Sequence, residues 1–261
     1  MRNKYFLLLL ALVALAIVSG CTRSVPGEPS TNSKRPGETR TVDPATAAAI
    51  TGVVEFTGVV PRAAKIDMSA DPACKGDNTS EQVVARGGRL QNVFVYVYVK
   101  EGAGTGWTFA PHEVVVRQQG CRYAPHVVGI VAGETIRFEN ADDAMHNIHP
   151  LPQSNQEWNT AQMPHGDPLV RKFQNPELLI PVKCNQHPWM KMYVNVVENP
   201  FFAVTGMDGS FELKGLPPGT YTIAAVHESL GEQVQQVTVG PKDTKNARFA
   251  FSGEKVAALA K

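Results

Sequence analysis

After residue 20 the sequence lacks any apolar run long enough to span a bilayer as a helix. It also lacks a charge bias, because 25 Lys and Arg are balanced by 24 Asp and Glu, for a formal net charge of +1 at pH 7. Proteins that bind the phosphates of nucleic acids need an excess of basic residues. The near-neutral balance therefore argues against nucleic acid as a partner.

Convincing amphipathic helices are absent as well. Many segments are instead dense in β-branched and aromatic residues and are separated by Gly, Pro and Asn, which is typical of strands and turns. The clearest is 93–99 (VFVYVYV). We predict an all-β protein. The expected strands are 53–56, 93–99, 114–117, 126–131, 135–140, 171–173, 178–182 and 193–197, with more towards the C-terminus.

The N-terminus predicts export. A basic start is followed by an apolar run over 6–18, which is short for a membrane span, and then by Val-Ser-Gly directly before Cys21. This pattern is typical of a bacterial lipoprotein signal peptide (1–20), in which Cys21 is lipidated and becomes the mature N-terminus. The alternative is an ordinary signal peptide with an incidental Cys. More than one acyl chain makes anchoring stable.

Residues 21–48 are rich in Pro, Gly, Ser and Thr and predict a disordered tether. Thr22, rather than Asp, follows the lipidated Cys, which in enteric-type bacteria favours the outer membrane. We expect an exported protein that is lipid-anchored to the cell envelope, on the periplasmic face of the outer membrane.

Segment 184–190 (CNQHPWM) combines the thiol of Cys184, the imidazole of His187 and the thioether of Met190 within seven residues. His146 lies upstream. Two imidazoles and a thiolate in a plane, with a weak axial thioether, form a blue-copper site. Zinc is the alternative, since Cys and His are its commonest ligands, although a zinc site rarely uses a thioether and no second Cys lies nearby.

Segments 133–140 (GETIRFEN) and 144–149 (AMHNIH) resemble the first half of the copper site of cupredoxins of the amicyanin and plastocyanin kind. Cys184-x-x-His187-x-x-Met190 resembles the second half, with the amicyanin spacing. The resemblance implies a Greek-key β-sandwich. It also implies one type 1 copper site whose ligands are His146, Cys184, His187 and Met190.

His149 is the rival of His146, but residues three apart on a strand lie on opposite faces. Asn147 favours His146, because in cupredoxins the Asn after this ligand braces the loop. Met192 is expected to pack in the strand that follows Met190. The remaining histidines have no partner at metal spacing and are expected to be packed or at the surface; they are His112, His126, His165 and His227.

Two of the four cysteines have no other task if Cys21 carries lipid and Cys184 binds metal. Outside the cytosol thiols tend to oxidise. We therefore predict a disulfide between Cys74 and Cys121.

The expected function is one-electron transfer to an unknown redox protein of the envelope. We expect His187 near the surface, with Pro188 and Trp189 forming an apolar patch where the partner docks. Two alternatives stay open: a lipoprotein that sequesters or delivers copper, and a structural module that binds at the cell surface.

We do not expect an enzyme. The sequence has no nucleophile elbow, no phosphate-binding loop and no second His-rich cluster of the kind that a copper oxidase or nitrite reductase needs. The pair Asp142 and Asp143 is adjacent in a loop, and adjacent side chains rarely converge on one atom.

The C-terminal part resembles a carboxypeptidase-regulatory or transthyretin-like β-sandwich. The resemblance rests on 204–213 (VTGMDGSFEL), with an Asp-Gly turn, on 216–223 (LPPGTYTI), and on 234–239 as the last strand. Combined with a cupredoxin in a lipoprotein, this arrangement resembles methylamine-utilisation-like envelope proteins.

Residues 200–252 are too few to complete that sandwich. We predict that it is split: its first strands come from 49–110, its last from 200–252, and the cupredoxin domain (111–199) is inserted between them, before a tail at 253–261. In the alternative, two domains lie in tandem and 49–110 extends the cupredoxin.

Overall fold

The computed structural model describes residues 40–98, 107–110 and 113–253. The predicted signal peptide, Cys21, residues 22–39 of the predicted tether, His112 and the expected tail from residue 254 lie outside the described residues. All regular secondary structure in the described part is β-strand, which confirms the all-β prediction. None of it forms a helix that could cross a membrane.

The strands are β1 (Ala48–Thr57), β2 (Lys65–Ile66), β3 (Asn78–Thr79), β4 (Ala85–Arg86), β5 (Arg89–Leu90), β6 (Phe94–Tyr98), β7 (Val114–Gln118), β8 (Tyr123–Ala124), β9 (Val127–Val131), β10 (Thr135–Asn140), β11 (His146–Pro150), β12 (Thr160–Gln162), β13 (Leu169–Lys172), β14 (Glu177–Lys183), β15 (Lys191–Val197), β16 (Phe202–Val204), β17 (Ser210–Leu216), β18 (Gly219–His227), β19 (Gly231–Val239) and β20 (Thr244–Ser252).

One sandwich combines the first strands of the described chain with the last. One sheet has the order β17-β1-β5-β4, with β20 added in parallel to β1, and the other has the order β16-β6-β18-β19. In β1 every second side chain is buried, among them Ile50, Val54 and Phe56, which face the core between the sheets. This alternation is the pattern of a strand with one face in the core.

The other sandwich, the metal-site sandwich, is built from strands β7 to β15 and carries the candidate metal ligands. Its sheets have the orders β13-β10-β7-β8 and β12-β11-β14-β15-β9, with parallel pairs β7/β10 and β9/β15. A second core fills the space between them and includes Phe138, Ile148 and Val194. The candidate metal ligands all lie at one end of this sandwich, where β10 leads into β11 and β14 into β15.

The uninterrupted apolar sequence of β6 is explained by the burial of both of its faces. Val95 and Val97 face the first core, whereas Phe94 and Tyr96 face a third cluster that includes Val127 and Tyr193 of the metal-site sandwich. A strand buried on both faces has no polar side. The two sandwiches approach closely there, since a Cβ on Gly129 would lie 2.4 Å from the Phe94 ring.

A split sandwich requires that strands before and after segment 111–199 share a sheet. Strand β6 precedes this segment, β18 follows it, and the two strands pair. Residues 49–110 do not all belong to that sandwich, however. Met68 and Cys74 are buried in the second core, beside the metal-site strands.

Two further features differ from the sequence-based expectations. Strand 234–239 is not the last, because β20 follows it, with Ala247, Phe249 and Phe251 buried in alternation. The end of the expected tether is also in contact with the fold: the Lys242 amine donates to the carbonyl of Pro44 at 2.5 Å.

Candidate metal centre

The loop between β10 and β11 is held by the buried amide of Asn140. Its Nδ2 donates to the carbonyl of Ala144 at 2.8 Å, and its Oδ1 accepts from the backbone N–H of Asp142 at 3.0 Å. Both ends of the loop are therefore tied to one side chain. As a result β11 begins with His146 directed inward and fully buried.

The turn between β14 and β15 carries the other candidate ligands. The N–H of Cys184 donates to the carbonyl of Met190 at 3.2 Å, and the N–H of Met190 donates to the carbonyl of His187 at 2.9 Å. These bonds close a short loop from the end of one strand to the start of the next. Cys184 and Met190 are 2% and 1% exposed and belong to the same core cluster.

Three donor atoms converge between these loops. The Nδ1 atoms of His146 and His187 lie 2.9 Å apart, and Cys184 Sγ lies 3.7 Å from His187 Nδ1. The ligand atoms of the three residues all lie within 4.8 Å of one another. Cys184 Sγ also accepts a hydrogen bond from the backbone N–H of Asn147 at 3.2 Å, which ties the sulfur to the start of β11.

Each imidazole is held from behind by a carboxylate. His146 Nε2 lies 2.9 Å from Asp142 Oδ2, and His187 Nε2 lies 2.9 Å from Asp71 Oδ2. A neutral ring that donates through Nε2 has its lone pair on Nδ1, which is the tautomer that binds a metal through Nδ1. Burial lowers the pKa of His146, and its hydrogen bond to Asp142 opposes that shift.

The donor set fits a cation. When both Nε2–H groups donate to carboxylates, two Nδ1 lone pairs and the Cys184 sulfur face the same small space, and these atoms repel one another unless a proton or a metal ion lies between them. Two imidazoles and one thiolate are the in-plane donors of a type 1 copper site. Copper therefore fits the residues present.

The structure brings together His146, Cys184 and His187 and buries Met190 in the same loop. His149 is on the opposite face of β11, where Nε2 contacts Glu157 Oε1 at 2.8 Å. Met192 is buried in β15, as expected for a packing residue.

His187 lies between the exposed residues Gln186 and Pro188. Its side chain is only 3% exposed, because Asp71 caps Nε2 and the ring packs 5.1 Å from that of Trp189. Pro188 is exposed, whereas Trp189 is half-buried and donates through Nε1 to the carbonyl of Cys121 at 3.2 Å.

The other described histidines have partners of their own. His126 Nε2 lies 2.6 Å from Glu228 Oε1, and His165 Nε2 lies 2.9 Å from Asp143 Oδ1. His227 is buried and accepts a hydrogen bond from the N–H of Ser229.

Cys74 and Cys121 form a disulfide with a Cα–Cα distance of 5.5 Å, next to the site. Sequence reasoning missed Asp71 and Asp142 as supports of the ligands. The sequence showed Asp142 only as one of two adjacent acidic residues. No sequence pattern near Asp71 indicates its role, because Asp71 lies 116 residues before His187.

No protein-family model matches this chain, and no curated protein matches it. Solved structures with partial likeness include a Cu-containing nitrite reductase from Thermus scotoductus SA-01, at 22% identity and a TM-score of 0.32, over 56% of this chain and 28% of that one. A purple cupredoxin from Nitrosopumilus maritimus matches at 21% identity and a TM-score of 0.28, over 32% of this chain and 98% of that one.

A variant of amicyanin in its Cu(I) form matches at 19% identity and a TM-score of 0.30, over 34% of this chain and 85% of that one. The case for a function therefore rests on the side chains of the site.

Proposed function

We propose that this protein is a type 1 copper protein that transfers single electrons. The observation that carries the proposal is the convergence of His146 Nδ1, His187 Nδ1 and Cys184 Sγ within 4.8 Å. Met190, buried in the same loop as Cys184 and His187, would hold the metal more weakly through its thioether. Copper held by such a set changes between Cu(I) and Cu(II) with little rearrangement, and this is the chemistry that the metal would supply.

The protein's own contribution is to orient the ligands and exclude water. His146, Cys184 and Met190 are at most 2% exposed, and each imidazole is fixed through Nε2 by a carboxylate. Such partners fix the tautomer and the ring orientation of a ligand histidine. The same burial favours retention of the metal, and so favours electron transfer over copper delivery.

We propose an electron carrier rather than an enzyme. Two other groups of side chains in the described part could gather round a metal ion. Both share a histidine with the proposed centre, and each includes a cysteine of the Cys74–Cys121 disulfide. They support one centre rather than a second site for substrate.

The proposed place of action is the cell envelope, with lipid on Cys21 as the anchor and a redox protein of the envelope as the partner. This part of the proposal rests on the sequence before residue 40. The exposed Pro188 beside the centre remains the proposed docking contact, with the half-buried Trp189 next to it.

The visible absorption spectrum of the copper-loaded, oxidised protein tests the proposal. We expect an intense thiolate-to-Cu(II) band that bleaches on reduction. The Cys184→Ser variant should lose the band, whereas a Cys74→Ser, Cys121→Ser double variant should keep a band that depends on Cys184. Stoichiometric copper with only weak ligand-field colour, or a clear preference for Zn(II) over copper, would contradict the type 1 assignment.

A further inference from the structure

Segment 66–79 comes from the N-terminal part of the chain, yet it packs against the metal-site sandwich. Met68 and Cys74 are buried in the second core, and Asn78 Nδ2 donates to the carbonyl of Gly120 at 2.8 Å. The segment also carries Asp71, whose carboxylate contacts the imidazole edge of His187 that faces away from the other donors.

The position of Asp71 is set by local hydrogen bonds. Its backbone N–H donates to the carbonyl of Met68 at 3.1 Å, and its carbonyl accepts from the N–H of Cys74 at 3.0 Å. One carboxylate oxygen, Oδ1, accepts from the N–H of Ala73 at 2.9 Å, which leaves Oδ2 for His187. Asp71 is thus presented by a tight turn that ends at a disulfide-bonded residue.

Cys121, the partner in that disulfide, is connected to both sides of the centre. Its N–H donates to Asp142 Oδ2 at 2.8 Å, and the same oxygen contacts His146. The N–H of Gly120 donates to Oδ1 of the same carboxylate at 2.6 Å. Both residues have positive φ, 65° and 54°, and their two successive N–H groups bind the same carboxylate.

We propose that the turn 71–74 is a cover of the metal centre. Asp71 is a positioning residue that orients His187 through Nε2, and the Cys74–Cys121 disulfide holds that carboxylate in place. The inference rests on the proposed centre at His146, Cys184 and His187. Its consequence is that His187 is closed off from solvent, so that loss of the cover exposes the ring and weakens binding of the metal.

Transfer of Cu(II) from the loaded full-length protein to EDTA measures the effect. We expect Asp71→Ala to weaken copper retention by about 10- to 100-fold, as for other outer partners of metal-bound histidines. Asp71→Asn keeps an acceptor oxygen and should restore most of the loss. Asp77→Ala is the matched control, because this Asp is in the same segment but its side chain is 96% exposed. Equal retention in the wild type, Asp71→Ala and Asp77→Ala would overturn the proposal.

The role of the disulfide is tested by combining variants. If the disulfide acts by holding Asp71, the Cys74→Ser, Cys121→Ser double variant should lose copper as fast as Asp71→Ala, and adding Asp71→Ala to it should cause no further loss. If the two effects multiply, the disulfide acts on the fold and not through Asp71, which contradicts this half of the proposal. Asp71→Ala removes a partly exposed side chain, so it remains informative if the cysteine variants do not fold.

A measurement without metal separates this inference from the proposed function. Long-range proton–nitrogen NMR of the metal-free protein should show His187 protonated at Nε2 in the wild type and in Asp77→Ala, and a changed tautomer in Asp71→Ala. That result would support the cover even if the wild type bound Zn(II) or no metal. An unchanged His187 tautomer in Asp71→Ala would overturn it even if the copper spectrum were that of a type 1 site.

Discussion

His227 is a buried imidazole that the proposed metal centre does not use. Burial lowers its pKa from 6.5 to about 4, with His126 acting in the same direction and Glu228 against it. Its Nδ1 accepts a hydrogen bond from the N–H of Ser229 at 3.1 Å, so protonation of that nitrogen would break the bond. The folded protein therefore holds this ring neutral where the unfolded chain would charge it.

The stability that follows has a definite pH window. Above pH 6.5 the ring is neutral in both states, and the contribution of His227 is fully present. As the pH falls from 6.5 towards 4, only the unfolded chain takes up the proton, so the free energy of unfolding falls by about 3 kcal/mol in total. The free energy of unfolding of the metal-free protein can be measured by urea titration at pH 7.5 and at pH 4.5. Between these two pH values it should fall by about 2 to 3 kcal/mol less in His227→Gln than in the wild type. Equal losses in both proteins would disprove this assignment.

Met190 and Met192 provide a second comparison at this scale. Both are buried, but Met190 lies in the ligand loop and Met192 in β15. Met190→Leu removes a weak axial donor and keeps a side chain of similar size. Three strong ligands remain, and the reduction potential should rise because Cu(II) loses electron donation. Protein-film voltammetry should show little change for Met192→Leu; a large shift in that variant alone would identify the wrong methionine.

At the scale of the elements, β14 contains an irregularity that β15 compensates. The pairing register of β14 shifts between Glu177 and Ile180, and Leu179 has a φ of 53°. The N–H of Leu179 is satisfied by the side chain of Asn195, at 2.9 Å from its Oδ1. Asn195 is fully buried and also donates to the carbonyl of Val128, so one polar side chain joins three strands.

Removal of the Asn195 amide takes away the acceptor for the N–H of Leu179 and a donor to the carbonyl of Val128. We expect Asn195→Ala to lower the free energy of unfolding by about 1 to 3 kcal/mol, as for other buried hydrogen-bonding groups that lose a partner. Asn246→Ala is the control, because Asn246 is an exposed residue of β20, and its change should stay within about 0.5 kcal/mol. Urea denaturation checks both, and similar losses in the two variants would contradict the role given to Asn195.

For the molecule as a whole, β20 closes a sandwich that begins nearly 200 residues earlier. It pairs in parallel with β1 along its full length and buries Phe249 and Phe251 in the first core. Burial of these two rings contributes roughly 3 to 6 kcal/mol. This is a large part of the stability of an ordinary domain.

A chain that ends at Asp243 lacks β20 and should lose the cooperative thermal transition of this sandwich in calorimetry. A chain that ends at Gly253 keeps every described strand and should melt like the full chain. The third cluster, with Phe94 and Tyr193, joins the two sandwiches, so we expect the truncation also to lower the melting temperature of the metal-site sandwich. An unchanged melting curve for the shorter chain would show that β20 is dispensable.

The sequence by itself determined the strand content and the local part of the candidate centre. Cys184, His187 and Met190 lie in one short turn between two strands, so their spacing alone brings them together. The choice of His146 over His149 as a ligand also follows from the sequence. Alternation along β11 directs His146 into the core and His149 to the opposite face. The partnership of Cys74 with Cys121 followed from the few cysteines and the tasks of the others.

Only the tertiary structure decided what surrounds those ligands. Asp71 reaches His187 from 116 residues away, and no local pattern encodes a contact made by packing of a distant turn. The burial of His187 between the exposed residues Gln186 and Pro188 depends on that contact. The double burial of β6 likewise depends on a second sandwich against its outer face. Local spacing specifies which side chains one loop presents; the closure of the chain on itself specifies what covers them.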